Sequence, residues 1–376
     1  MIMVPLKYII GNITHRKTAT IMTIMGIALV IGIFTAMSAI GETMVKSFQL
    51  TGEPEAVVIT QAGAMTVDFS NVRRESSGYI QTLDGVVVRG STPLVSPELN
   101  LLGIVTAGGS VMDISLRGVA ETAPMVHRQV SLSEGEWPQI GQRVVIGAAA
   151  ASKLNVAVGD TVNFEGVEWT INGIISSNGC VYDQEVWAYL DDLAAATNRI
   201  NYSSYTLLTP SPEHAAALVE QVNDERRFPI TAYTAPNYYA KTGTMARIMA
   251  TMGNFIAVVI ALGAVFGGMN ALYSSVSSRR KELGILRSLG YRKGSVLRAF
   301  MAESLVISVC AGILGFFLGS LLLFVPVDIP YAESLSHSVG MNQLTGAVIL
   351  TILIGILGGF LPALRAARLK IIEALK

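Results

Sequence analysis

Ionisable side chains crowd into one short stretch of this chain. Residues 277–295 read SSRRKELGILRSLGYRKGS, six basic side chains and one acid around a run of leucines and glycines, with strongly apolar sequence on both sides. The segment GYRKGS at 290–295 has a glancing likeness to a phosphate-binding loop. It lacks both the G-x-x-x-x-G-K-[ST] spacing and a preceding strand, so it cannot hold ATP by that route. The four histidines, His15, His127, His214 and His337, are scattered, and no H-E-x-x-H, paired-cysteine or nucleophile-elbow pattern occurs. A non-catalytic chain with no metal or cofactor of its own is therefore expected.

Charge at 277–295 points to recognition instead. No proline interrupts Arg279 to Leu289, and Gly290 is placed to end a helix. Leu283, Leu286 and Leu289 recur every three residues, Ile285 widens that ridge, and Arg280, Lys281 and Arg287 fall mostly away from it. The expected element is a short amphipathic helix across the cytoplasmic mouth of two membrane spans. Three uses fit it: a topology signal with a basic, lipid-facing surface, a patch for an acidic soluble partner, or an apolar ridge set into a groove of a motor protein. Glu303 begins the next apolar run. An intramembrane acid is a functional candidate by default, but at about one turn of depth it reaches interfacial water or Arg298, and a structural anchor is the favoured reading.

The elements that must position these groups lie in a bilayer. The 376 residues are 51% hydrophobic and 14% charged, with a mean hydropathy of +0.51, against about 25% charged in soluble domains. Four runs near 20–40, 250–273, 299–324 and 344–364 are each long enough for a hydrocarbon core of about 30 Å. Of the 27 basic residues, 14 fall in three short pieces: Lys7, Arg16 and Lys17; Arg279, Arg280, Lys281, Arg287, Arg292, Lys293 and Arg298; and Arg365, Arg368, Lys370 and Lys376. The short loop 325–343 has no Lys or Arg. Both termini are therefore expected in the cytoplasm.

The expected order is a cytoplasmic amphipathic segment (1–19), a first span (20–41), an extracytoplasmic domain (42–249), a second span (250–273), a cytoplasmic loop (274–298), a third span (299–324), a short outer loop (325–343), a fourth span (344–364) and a cytoplasmic tail (365–376). The first apolar run exceeds a signal-peptide core and no clean A-x-A site follows it, so it is read as retained. Cys180 falls outside and Cys310 within the third span, so the two cannot pair within one chain.

The outer segment reads as mixed α/β. Strands are expected near 55–60, 79–89, 110–119 and 143–147. A helix AAAASKL, a turn at Gly159-Asp160 and a hairpin reversing at Glu165-Gly166 follow. YTLLT, SPEHAAALVEQVNDE and FPITAYT then read as strand, helix, strand, with Ser211 as N-cap and Pro212 in the first turn. A helix from about 237 is expected to run directly into the second span, coupling the outer domain rigidly to the membrane. The outer segment carries 22 acids and 13 bases, the wrong sign for nucleic acid. Spans two to four each hold a G-x-x-x-G, at Gly263 and Gly267, Gly315 and Gly319, and Gly355 and Gly359, spacing that lets membrane helices approach closely.

The stretch SSRRKELGILRSLGYRKGSVLRAFMAESLVISVCAGILGFFLG resembles the membrane module of FtsX- and MacB-type ABC permeases: a basic pair, then K/R-E-x-G-I-L-R-A-L-G, then a Glu early in a glycine-rich span. Arg280, Lys281, Glu282, Gly284, Ile285, Leu286, Arg287, Leu289, Gly290 and Glu303 all match. FLPALRAARLKIIEALK is similar to the family's P-A-x-R-A-A-x-x-x-P-x-E-A-L tail, with Ile371 or Ile372 where its second proline stands. LKYIIGNITHRKTATIMTIMGIALVIG is similar to its opening, and SLSEGEWPQIGQRVVIGAAAASKLNVAVGDTVNFEGVEWTINGII resembles the MacB-type periplasmic domain.

The resemblance implies an α-helical membrane protein of the bacterial inner membrane, with four transmembrane helices (one plus three) and a large extracytoplasmic α/β domain between the first two. It implies a homodimeric half-transporter above two ATPase subunits that use ATP and Mg. With no nucleotide-binding domain at either end, the ATPase is expected on a separate chain. The loop helix would be the coupling helix, with Leu283, Gly284, Ile285 and Leu286 docking the ATPase and Glu282 and Arg287 orienting the contact. A periplasmic adaptor is a further partner this architecture admits. Lipoproteins, peptides, lipids and hydrophobic drugs all suit it as cargo. The alternative is an FtsX-like signalling scaffold that switches an outer partner, such as a cell-wall hydrolase, without transport.

Overall fold

The computed structural model describes residues 17–289, 291–323 and 340–369, apart from the side chains of Ala19, Met245, Met249 and Leu286. Residues 1–16, Gly290, the outer loop 324–339 and the tail from Lys370 lie outside the described residues, and with them His15 and His337. The described chain falls into two compact units, one of residues 17–41 and 249–369, the other of residues 42–248.

The first unit is helical. Among the described residues, four helices are long and apolar enough to cross a membrane: α1 (Lys17–Thr51), whose last ten residues belong to the second unit, and three others introduced below. Between α1 and the rest of this unit, the chain builds the second one.

A ten-stranded sheet dominates that unit. Strand β1 (Ala56–Gln61) is followed by a short helix α2 (Ser77–Gln81) and a small ribbon of β2 (Val88–Arg89) and β3 (Thr92–Pro93). The strand expected over 79–89 is instead the end of α2, with Ile80 buried, then a turn, and only its last two residues form a strand, β2. A long hairpin of β4 (Val95–Ala107) and β5 (Ser110–Val119) comes next, paired from Glu98↔Val119 to Ala107↔Ser110. Then follow α3 (Ala123–Val126), β6 (Ser131–Gly135), β7 (Arg143–Gly147), α4 (Ala148–Leu154), β8 (Thr161–Phe164), β9 (Val167–Ser176), β10 (Glu185–Tyr189), α5 (Leu190–Ala196), β11 (Ser204–Leu208), α6 (Pro212–Asp224) and β12 (Ile230–Thr234). Strand order is β12-β1-β11-β4-β5-β10-β7-β9-β6, with β8 bridging β9 and β4.

Local chemistry explains several joints. Glu165 and Gly166 adopt φ of 53° and 75°, so the β8–β9 reversal has the two left-handed residues of a type I′ turn. Ser211 Oγ accepts from the His214 amide at 3.4 Å, and Pro212 opens α6. The bridge Thr106↔Asn163 closes a ring through β4, β5, β10, β7, β9 and β8. Trp169 and Phe164 stack within this ring at a centroid distance of 4.7 Å and a 6° interplanar angle.

Helix α7 (Ala235–Ser278) leaves β12 without a break, and its residues from Met249 belong to the first unit. It is followed by the short α8 (Arg280–Ser288), then α9 (Lys293–Leu322) and α10 (Met341–Arg368).

Candidate functional site

The helix α8 is built from both ends by the sequence. Glu282 stands in its first turn and Arg287 in its last, matching the helix dipole. The Leu283 amide donates to the Arg279 carbonyl at 3.0 Å and the Leu289 amide to the Ile285 carbonyl at 3.0 Å.

Its apolar residues do not form one ridge. Leu283 is 3% exposed and packs in a cluster with Val276 of α7, Val296 and Phe300 of α9, and Ala363 and Ala366 of α10. Gly284 is buried beside it. Both were expected to meet a partner, and Leu283 instead faces the chain's own bundle. Arg287, expected to orient a contact, donates from Nη1 to the carbonyls of Ala367 (3.3 Å) and Leu369 (2.7 Å). It ties α8 to the end of α10, where carbonyls lack helical partners. Arg280, Lys281, Glu282, Ile285 and Leu289 are exposed, Ile285 by 51% and Leu289 by 68%. Within that outward surface Lys281, Ile285 and Leu289, four residues apart, share one face. The Leu286 side chain and Gly290 lie outside the described residues.

The glycine pairs divide likewise. A Cβ on Gly315 would lie 2.4 Å from the Ala28 carbonyl oxygen, and one on Gly319 2.5 Å from that of Gly32, so α1 and α9 touch backbone to backbone. Cβ atoms on Gly355 and Gly359 would meet Ser308 Oγ at 2.3 Å and Ser304 Cβ at 2.6 Å, and Ser304 Oγ donates to the Gly355 carbonyl at 2.7 Å. A Cβ added at Gly263 or Gly267 would meet no atom of another element within 4 Å among the described residues.

Glu303 faces the interior of the helical unit. It is 7% exposed and shares the inward face of α9 with Ser304, Ile307 and Ser308, whereas Arg298 is exposed. It borders a cavity of about 40 Å³ with Thr20, Thr23 and Ser275, room for a water or two.

The second unit holds a buried ionic chain not anticipated from the sequence. Arg117 of β5 grips Glu185 of β10 through Nε (2.7 Å) and Nη2 (2.8 Å), and its Nη1 reaches Glu98 of β4 at 2.5 Å. Glu98 also meets His127 Nε2 at 2.6 Å. Tyr182 Oη lies 3.0 Å from both His127 Nδ1 and Tyr239 Oη, which brings in the first turns of α7. Trp187 Nε1 donates to Glu185 at 2.8 Å. Burial alone would raise the Glu98 carboxyl, but His127 and Arg117 outweigh it and hold the group at about 2. Burial also pushes the Tyr182 and Tyr239 phenols up. With every member under 9% exposed, the chain is closed to substrate and fixes strand and helix positions. Glu98, Arg117 and Glu185 on inward strand positions were the available signal, and polar residues that alternate along a strand read as outward.

Known families match both units. The MacB-like periplasmic core domain matches residues 20–225, and the FtsX-like permease C-terminal domain matches residues 254–371. The chain belongs to the MacB/FtsX-like ABC transporter permeases.

Among relatives of this permease, the macrolide export ATP-binding/permease protein MacB of Bdellovibrio bacteriovorus is 26% identical over 94% of the chain and 58% of the relative. The MacB of Nitrobacter winogradskyi is 25% identical over 95% of the chain and 57% of the relative. The permease thus spans about 58% of the length of these curated relatives. An uncharacterized ABC transporter permease of Bacillus subtilis, YknZ, is 35% identical over 36% of the chain and 34% of its own length. The crystal structure of the periplasmic region of MacB from Actinobacillus actinomycetemcomitans covers 52% of the permease and 94% of that chain, at 14% identity and a TM-score of 0.40.

Proposed function

We propose that this permease is the membrane subunit of a bacterial inner-membrane ABC transporter, working as a pair of copies with ABC ATPase subunits beneath them. In this reading one helix precedes the outer unit and three follow it, both ends of the chain are cytoplasmic, and the outer unit faces the periplasm. ATP hydrolysis on the ATPase supplies the work. The permease passes that motion through α8 to its bundle, and through α1 and α7, which belong to both units, to the outer sheet. There it extracts or exports a substrate.

The division of α8 carries the reading. Leu283 and Arg287 hold its inner face to α7, α9 and α10, while Lys281, Ile285 and Leu289 stand outward. A push on that face cannot be absorbed by α8 alone. The test is purification from native membranes. An ABC ATPase should accompany the unaltered chain and be lost with Ile285→Asp, without loss of thermal stability in detergent. If no such ATPase accompanies the unaltered chain, the reading fails.

A further inference from the structure

The ten-stranded sheet has two edges, and they are treated differently. At β12 the edge is closed: Asn223 of α6 donates from Nδ2 to the Ala232 carbonyl (3.2 Å) and accepts from the Ala232 amide (2.9 Å), standing in for a neighbouring strand. At the other end, β6 (SLSEG) is the last strand in the order, and four of its five residues are exposed. Its pairing with β9 carries a bulge between Leu132 and Glu134, and no described strand of the sheet pairs its other edge, which leaves that edge as a template for another strand.

The chain leaving β6 forms a pinned wall. The Glu136 amide donates to the Asn172 carbonyl at 2.9 Å, Asn172 Nδ2 donates to the Trp137 carbonyl at 3.2 Å, and the Gly141 amide donates to Asp192 at 2.8 Å. Gly135 is required at the corner. Its φ is 75°, and a Cβ there would lie 2.1 Å from the Asn172 carbonyl oxygen. Beside this wall runs an open groove of about 740 Å³ lined by Leu132, Trp137, Ile140 and Tyr189, with the carboxylates of Glu121 and Glu136 on its border. Glu121, Glu134 and Glu136 are all exposed. Burial, with Glu121, Asp191 and Asp192, raises the Tyr189 phenol above its ordinary value, consistent with a negative local field.

We propose that β6 and its groove bind an extended, basic segment of a partner protein by strand addition. Backbone pairing supplies affinity, and alternate side chains enter the groove. Charge selects the occupant. A second copy of this chain adding at β6 would set Glu134 and Glu136 against their own like, which disfavours self-pairing. Lysine or arginine at alternate positions would instead face these carboxylates. The apolar floor takes the stems of those residues or a β-branched neighbour. The site stands whether or not the chain is driven by ATP.

The test uses the full chain in nanodiscs, with Trp137 as reporter. Trp169 and Trp187 are 0% exposed, which leaves Trp137 as the indole open to a ligand at this groove. The probes are the capped peptide KVRVKV, the same peptide N-methylated at alternate residues, the capped peptide EVEVEV, and octylamine. KVRVKV should shift the Trp137 emission, and salt should weaken its binding. Glu134→Gln and Glu136→Gln should each weaken it roughly 2- to 5-fold. Removal of amide donors by N-methylation should cost roughly tenfold. Four results would each overturn the proposal. They are no response to KVRVKV up to about 1 mM, equal binding of EVEVEV, equal binding of the N-methylated peptide, and a matching response to octylamine that displaces the peptide, which marks a small-molecule groove.

Discussion

Replacing Arg117 by methionine tests the buried ionic chain directly. Arg117 is 4% exposed, and it neutralises Glu98 (0% exposed) and Glu185 (2% exposed) with three hydrogen bonds. Methionine keeps much of the volume but leaves two carboxylates in an apolar interior. Removing one partner of a buried ion pair costs about 3–5 kcal/mol. His127 and Trp187 still donate to Glu98 and Glu185, so a loss of about 3 kcal/mol at pH 7 is expected. The assay is urea unfolding of the full chain in detergent, followed by tryptophan emission. The pH dependence gives the sign. In the unaltered chain Glu98 titrates at about 2 rather than at the ordinary 4.5, so its stabilisation is present above pH 4.5 and disappears as pH falls towards 2. In Arg117→Met, Glu98 keeps His127 but loses the guanidinium that also holds its carboxyl down, so it takes up a proton at higher pH and the gap between the two proteins should narrow from pH 7 to pH 4. Adding Glu98→Gln and Glu185→Gln should restore part of the loss by removing the buried charges. A loss under about 1 kcal/mol at pH 7, or an identical loss at both pH values, would refute the reasoning.

Gly315→Ala should destabilise the bundle by about 1–3 kcal/mol, since its Cβ meets the Ala28 carbonyl, whereas Gly263→Ala should change little; thermal unfolding in detergent compares them. Leu283→Ala should cost about 2–4 kcal/mol through loss of its contacts with Phe300 and Ala363, while Leu289→Ala should stay within about 0.5 kcal/mol. Burial pushes the Cys180 thiol up to about 11. In a Cys310→Ala background its alkylation by a maleimide should therefore be slow at pH 7 and accelerate towards pH 11, and fast labelling at pH 7 would contradict the packing around it.

Local pattern marks several elements of the outer unit. The runs at 110–119 and 143–147 and the AAAASKL helix coincide with β5, β7 and α4: alternation marks the first half of β5, a β-branched run marks β7, which is buried on both faces, and alanines mark α4. The longest strand, β4, escaped for the opposite reason. Ser96, Glu98 and Asn100 are all fully buried, so its inward positions read as polar. The polar face became intelligible only with Arg117 and Ser203 beside it, since each of those partners lies far along the chain. Strand β10 is almost wholly buried and shows no alternation to read, and β6 is exposed on both faces.

The single ridge expected on α8 does not form, and helix geometry explains why. Leucines at 283, 286 and 289 look like one ridge. Each step of three residues advances about 300°, however, so the stripe drifts backwards by about 60° per step and by about 120° from Leu283 to Leu289. A helix of nine residues is too short to hide that drift by supercoiling. The faces are instead set by spacings of four: Leu283 with Arg287 inward, Ile285 with Leu289 outward. A partner beneath α8 would therefore meet Ile285 and Leu289, and a substitution at Leu283 would act on the bundle itself. Any loss of partner binding in Leu283 variants should track their loss of stability, and in Ile285 variants it should not.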